Sequence, residues 1–180
     1  MDAPVGLNGS SVSPRTDDDS ASAEAFASYG AGMTTHLYDA ALTWTGSTSD
    51  YRSYTRSHQV TANNSTLKLS ADKAFRGDPT QLNPEALLVA AASSCQLLSF
   101  LAVAAQAKVD VISYEDDAEG AMPDEQHPVR ISRIVLNPHI RVRGTEPDVV
   151  HELLHKAHDQ CYIANSLTTD IRLEPTIEVV

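Results

Sequence analysis

The chain is predicted to be an α+β protein with the element order βββαββαβ, a mostly antiparallel sheet around two long helices. Three patterns support this. Short segments alternate apolar and smaller or polar side chains with a period of two, as in Tyr38, Ala40, Leu42 and Trp44. A long segment beginning at Asn83 is apolar on every side. A later segment places Val150, Leu153, Leu154, Ala157 and Cys161 within an arc of about 100° at helical spacing.

The first strand is expected in HLYDAALTWT, followed by a turn at GSTSD. YTRSHQV and TLKLSA read as two further strands joined through Asn63-Asn64. The loop DKAFRGDPTQL then leads into the first helix. Asn83 suits its N-cap, Pro84 its first position, and Glu85 its first turn, where a negative charge complements the helix dipole. This helix is expected to run to about Ala107. VDVISYED is the next strand, EGAMPDEQHP a turn, and RISRIVLNPHIRVRG a long strand or strand pair, in which Pro138 implies an edge or a bulge. The second helix is expected over TEPDVVHELLHKAHDQCYIANS, with Thr145 as cap and Pro147 near its start. IRLEPTIEVV closes the fold as a strand. Residues 1–32 are poor in large apolar side chains and include Asp17-Asp18-Asp19, which predicts a disordered tail ahead of a domain over 33–180.

Composition narrows the function. The 180 residues carry a net charge of -11, so the long-range field repels phosphate and disfavours nucleic acid and anionic membrane as partners. Two cysteines, Cys95 and Cys161, are too few for a disulfide scaffold and fit a cytoplasmic protein. No basic start followed by an apolar run marks a signal peptide. Ala86 to Ala105 is long enough to span a membrane, yet it is alanine-rich and holds Ser93, Ser94, Gln96 and Ser99. It is expected to be a central core helix. Asn63-Asn64-Ser65 matches a glycosylation acceptor, which has no meaning in the cytoplasm.

That helix holds one acid, Glu85, and one thiol, Cys95, separated by ten residues. The spacing amounts to about 15 Å along the axis and about 80° around it, so the two cannot meet within one helix. Two readings are open. In one, Glu85 only complements the dipole and Cys95 is a small core hydrophobe. In the other, two copies of the helix pack antiparallel about a two-fold axis near Ala90, Ala91 and Ala92, whose small side chains allow close approach. Glu85 of one copy then lies level with Cys95 of the other.

FRGDPTQLNPEALLVAAASSC, followed 66 residues after Cys95 by the second cysteine in AHDQCYIANS, resembles the OsmC/Ohr family of thiol peroxidases. The resemblance covers roughly residues 36–180. It implies the OsmC-like fold, an intertwined homodimer with two active sites at its interface, and reduction of organic hydroperoxides. It implies Cys95 as the reactive cysteine, Cys161 as the resolving one, and Glu85 as a glutamate attending an arginine. Arg76, in FRGD, matches the arginine of OsmC-like members; the Ohr branch carries its arginine earlier, which makes Arg52 and Arg56 the rivals. Gln96 departs from relatives that carry histidine after the cysteine. Electrons are expected from a dithiol, with lipoyl groups favoured, and no cofactor or metal is called for.

The chemistry needs those residue types. Thiolate is the nucleophile toward peroxide, and an apolar site alone would hold the proton on. A guanidinium counters this and can bond the departing oxygen; a carboxylate holds the guanidinium, so Glu85 is expected to contact the arginine first and sulfur second. A resolving thiol condenses with the sulfenic acid and needs Cα atoms within about 7 Å. An apolar lining favours an organic substrate by about 0.8 kcal/mol per buried methylene. Two alternatives stand beside this: a non-catalytic dimer binding an apolar ligand, and a zinc hydrolase. The segment HELLH, with His151 and His155, fits a zinc motif, with Glu152 as base and His158 on the same face. That face lies roughly 120° from the apolar one, which predicts a solvated surface.

Overall fold

The computed structural model describes residues 35–180, so the tail expected over residues 1–32 lies outside the described residues. The fold that follows is that of the unit Ala40–Val180. Its strands are β1 (Ala41–Thr43), β2 (His58–Ala62), β3 (Ser65–Leu69), β4 (Asp110–Asp116), β5 (Glu119–Ala121), β6 (Arg133–Leu136), β7 (Pro138–Arg143), β8 (Asp170–Leu173) and β9 (Thr176–Val179). Its helices are α1 (Pro84–Gln106), α2 (Pro147–Asp159) and the single turn α3 (Tyr162–Asn165). The class is α+β, as the alternation and helix periods predict.

Of the segments expected after the first helix, VDVISYED stays one strand as β4, RISRIVLNPHIRVRG forms the strand pair β6 and β7, IRLEPTIEVV divides into β8 and β9, and β5 falls within EGAMPDEQHP, expected as a turn. β4 and β5, β6 and β7, and β8 and β9 break at one level, at Asp117-Ala118, Asn137 and Glu174-Pro175. The break is stitched: Asp116 Oδ1 accepts from the Asn137 amide at 2.7 Å, and the Glu174 amide donates to the Leu136 carbonyl at 2.8 Å. Two three-stranded sheets result, in the orders β4-β7-β9 and β5-β6-β8. Pro138 opens β7, the central strand of its sheet, and not an edge. The first position of a strand spares it a ladder donor. The β-bulge falls on the neighbour, between Val111 and Ser113. Four strand pairs are antiparallel, while β6/β8 and β7/β9 are parallel because α2 crosses over between them.

β1, β2 and β3 form a separate antiparallel sheet. The first strand is shorter than its alternation suggests, since only Ala41–Thr43 finds a ladder partner in β2. Asn63, at φ 51°, turns the β2–β3 hairpin, a left-handed position that asparagine tolerates. Four of the five β3 residues are exposed, and the sheet makes no substantial contact with either long helix.

α1 starts as its sequence dictates: the Asn83 side chain accepts from the Ala86 amide at 2.7 Å, Pro84 opens the first turn and Glu85 sits in it. The loop before it folds back so closely that a Cβ on Gly77 would lie 1.5 Å from the Ala71 carbonyl oxygen, and only glycine fits. α2 starts at Pro147 with Glu146 at the cap, not Thr145, and no side chain caps it. It ends at Asp159 instead of running on, so Cys161 is not within a helix. Gln160 closes the last turn, Cys161 is extended, and α3 begins after it.

The main core joins Phe100, Val103 and Ala104 of α1, Val150, Leu154 and Ala157 of α2, and Ile140 and Val142 of β7. Truncating a side chain such as Phe100 there costs about 3–5 kcal/mol. A smaller cluster sets Ala92 of α1 against Ile131, Ile134 and Leu136 around β6. The rest of α1 is not covered. Ala90, Ser94, Leu98, Leu101, Ala102 and Ala105 are exposed, Leu98 to 64 %. α1 is the one helix among the described residues long and apolar enough to cross a membrane, and in a single chain only 22 % of its most apolar window is buried.

Candidate active site

Cys95 lies midway along α1, half-buried, and Cys161 lies at the break between α2 and α3, fully buried. The packing of α2 on α1 brings the two together. Both are reduced, and they lie close enough for the Cys95 side chain to bear on the Cys161 thiol. Burial, and then the Cys95 side chain, push the Cys161 thiol up to about 11. The turn that follows supplies donors. The Ile163 amide reaches the Cys95 sulfur at 3.4 Å, and the amides of Ala164 and Ile163 partly offset the rise at Cys161. The Cys95 sulfur therefore meets an amide N–H, while burial holds the proton on Cys161. Sequence reasoning missed these amides because it continued α2 through the break. Within an uninterrupted helix, the amides of Ile163 and Ala164 would be committed to carbonyls four residues back.

Glu85 is half-buried in the first turn of α1, and its Oε2 atom is buried without a hydrogen-bond partner among the described residues. It lines a cavity of about 390 Å³ together with Arg56, Leu42, Trp44, Tyr54 and Pro84. Arg56 is held rigidly. Its guanidinium stacks 4.0 Å from the Tyr54 ring centre and 5.3 Å from that of Tyr51, and donates to the carbonyls of Tyr54 and Tyr51 at 3.0 and 3.1 Å. The pattern YRSYTR, two tyrosines around an arginine, is the signal that could have found this stack.

The other arginines do not line that cavity. Arg76 is exposed, at φ 66° on the end of a 3-10 turn, 6.0 Å from the Tyr51 ring centre. Arg52 is exposed, with its amide bonded to Asp50. Among the described residues no arginine hydrogen-bonds to Cys95 or pairs with Glu85, and neither cysteine lines the Arg56 cavity. One chain thus joins Cys95 to Cys161 and sets Glu85 beside Arg56 in one cavity, but it holds the two pairs apart.

Beneath the dithiol lies a polar group the sequence left without a role. Gln96 is fully buried and bonds to the Leu154 carbonyl at 3.3 Å and to the His158 ring at 3.2 Å. Tyr114 packs on Phe100 with its hydroxyl buried and unpartnered; burial, then the charges of Asp116 and Cys161, raise its pKa. The zinc alternative finds no ligand set, because no three His, Cys, Asp or Glu side chains cluster for a metal among the described residues. His155 and Glu152 are exposed, and His158 is engaged by Gln96.

Fold and site together define an α+β protein built around a reduced pair of apposed cysteines. The chain belongs to the OsmC-like family: the OsmC-like protein model matches residues 77–176. It is 30% identical to an OsmC-like protein of unknown function from Vibrio cholerae, with a TM-score of 0.72 over 79% of this chain and 100% of that one. An OsmC-like protein from Mycoplasma pneumoniae shares the fold at 14% identity, TM-score 0.63, over 82% and 99% of the two chains. So does an organic hydroperoxide resistance protein from Elizabethkingia anophelis at 19% identity, TM-score 0.60, over 82% and 99%. No protein with a curated description matches.

Proposed function

We propose that the chain is a thiol peroxidase that reduces organic hydroperoxides as a cytoplasmic homodimer, with Cys95 as the reactive and Cys161 as the resolving cysteine. The apposed, reduced pair of thiols, with the Ile163 amide donating to the Cys95 sulfur, is the observation that carries the reading. The Cys95 thiolate attacks the terminal peroxide oxygen; the O–O bond breaks, ROH leaves with a proton, and Cys95 becomes a sulfenic acid. Cys161 then attacks that sulfur, forming the disulfide and releasing water. A small dithiol, of lipoyl type, returns two electrons and two protons and leaves as its own disulfide.

The second copy completes the site. α1 leaves an apolar stripe uncovered, and the β1–β3 sheet lacks a layer against it. Packing two α1 helices antiparallel near Ala90 covers the stripe and carries the Glu85–Arg56 cavity of one chain toward the Cys95–Cys161 pair of the other. The orphaned Glu85 oxygen then takes up a guanidinium, and that guanidinium faces the sulfur and the departing alkoxide. Arg56, already stacked beside Glu85, is the favoured arginine over Arg76. The walls Leu42, Trp44, Tyr54 and Pro84 receive the organic group.

The test is turnover with a lipoyl dithiol, comparing cumene hydroperoxide with hydrogen peroxide. A higher kcat/KM for the organic peroxide, abolished in Cys95→Ser, supports the reading. Binding of an apolar probe without turnover replaces it with a ligand carrier.

A further inference from the structure

Beside the dithiol, the one fully buried side-chain amide of the described residues ties together the two segments that carry the sulfurs. Gln96 directly follows Cys95 on α1. Its Nε2 donates to the Leu154 carbonyl at 3.3 Å, and its Oε1 faces His158 Nδ1 at 3.2 Å. The amide orientation is fixed, since a carbonyl only accepts and must meet the NH2 group. Gln96 Oε1 therefore accepts, and His158 Nδ1 must carry a hydrogen. On the other side, the His158 carbonyl accepts from the Cys161 amide at 3.0 Å, closing the turn on which Cys161 sits. The side chain of Asn165 bonds the Asp159 carbonyl at 2.9 Å and fixes the same break. A continuous chain of bonds thus runs from the residue beside Cys95 to the backbone of Cys161.

A core position filled by an amide is a choice that needs a reason. An apolar side chain of equal volume would pack there without leaving a polar group to satisfy. What the amide adds is direction: two bonds at set angles fix both the slide and the rotation of the end of α2 along α1, which apolar packing alone does not. Disulfide formation demands that kind of registration, because Cα separation and sulfur approach tolerate little error.

We infer that Gln96 and His158 are positioning residues that hold Cys161 in register for its attack on oxidised Cys95. The inference rests on the peroxidase reading above for its step and on geometry alone for its effect on the thiol–disulfide equilibrium. The clamp acts on the condensation, Cys95–SOH plus Cys161–SH giving disulfide plus water, and not on the first attack on peroxide.

The variants are Gln96→Met, of similar volume without the two bonds, and His158→Ala, which removes the second half at a half-buried position. His158→Asn is the rescue, since its amide nitrogen can donate from about the place of Nδ1. Full-length protein is mixed with cumene hydroperoxide. Dimedone trapping reports sulfenic acid, and intact mass reports disulfide and sulfinic acid. Gln96→Met and His158→Ala are expected to oxidise Cys95 at the wild-type rate, to form the disulfide about tenfold more slowly, and to accumulate sulfinic acid; His158→Asn is expected to match wild type. Titration against a dithiol redox buffer, which needs no peroxide, should show a disulfide about tenfold easier to reduce in the two disabled variants, about 30 mV. Unchanged condensation and unchanged potential in folded variants, or a His158→Asn as slow as His158→Ala, overturn the inference. If the wild type ignores the peroxide while the potential still shifts, the clamp stands and the peroxidase reading falls.

Discussion

The amide of Ile163 donates to the sulfur of Cys95 at 3.4 Å, from the same turn whose first residue, Cys161, buries its own thiol against that sulfur. The two cysteines are therefore unequal. One is half-buried and receives an amide donor; the other is 1 % exposed and holds its proton.

This inequality predicts the order of alkylation. With its pKa near 11, Cys161 has on the order of one thiolate in a few thousand at pH 7.5. Iodoacetamide at that pH should modify Cys95 first, with Cys161 following only after denaturation. Peptide mass spectrometry reads the order, and labelling of Cys161 first contradicts the assignment.

The same shift ties stability to alkaline pH. An unfolded thiol titrates near 8.5, so the folded state binds this proton more tightly. The resulting stability is present in full below about pH 8.5 and is lost as pH rises toward about 11. Urea unfolding at pH 8 and pH 10.5 should show wild type losing about 2 kcal/mol more than Cys161→Ala between those values. Equal losses would mean that Cys161 is not proton-bound in the fold.

The strand periods, the Asn83-Pro84-Glu85 start of α1 and the buried face of α2 were legible because each depends on neighbours in sequence. Val150, Leu154 and Ala157 are buried and Leu153 half-buried, as their spacing predicts; Cys161 is buried too, although the helix ends before it. What was not legible depends on meetings across the fold. The shared level at which three strands break arises from Asp116 meeting Asn137 and from Leu136 meeting Glu174. The end of α2 at Asp159 has no proline or glycine to mark it; its partners are Gln96 and Asn165. Arg56 looked like one of several loop arginines because its tyrosine stack is a tertiary feature of a short loop.

The arginine serving the thiolate is separable by substitution. Arg56→Met should lower kcat/KM for cumene hydroperoxide about 100-fold, the scale for losing one preorganised charge stabiliser. Arg76→Met should stay within about twofold, as expected of an exposed side chain that does not line the cavity. The reverse pattern returns the role to Arg76.

A shared site makes a complementation prediction. Mixing Cys95→Ser chains with Glu85→Ala chains places both lesions in one site of each heterodimer and neither in the other. Random assortment makes about half the dimers heterodimers, so activity should recover to about a quarter of wild type. No recovery over either parent would place each site within one chain.

The exposed stripe of α1 carries a further consequence. Ala90→Arg changes little in an isolated helix, where both residues favour helix. At a close helix crossing it buries an unpaired charge at a cost of several kcal/mol. Light scattering should show a dimer for wild type and dissociated chains for the variant; a monomeric wild type would remove the two-chain site.

The most direct test of the central claim counts thiols before and after one equivalent of cumene hydroperoxide per chain. Both thiols should vanish together, with the Cys95 and Cys161 peptides recovered joined by a disulfide, and Cys95→Ser should consume no peroxide. Retention of both thiols, or oxidation that leaves the two peptides unjoined, would contradict a dithiol peroxidase built on this pair.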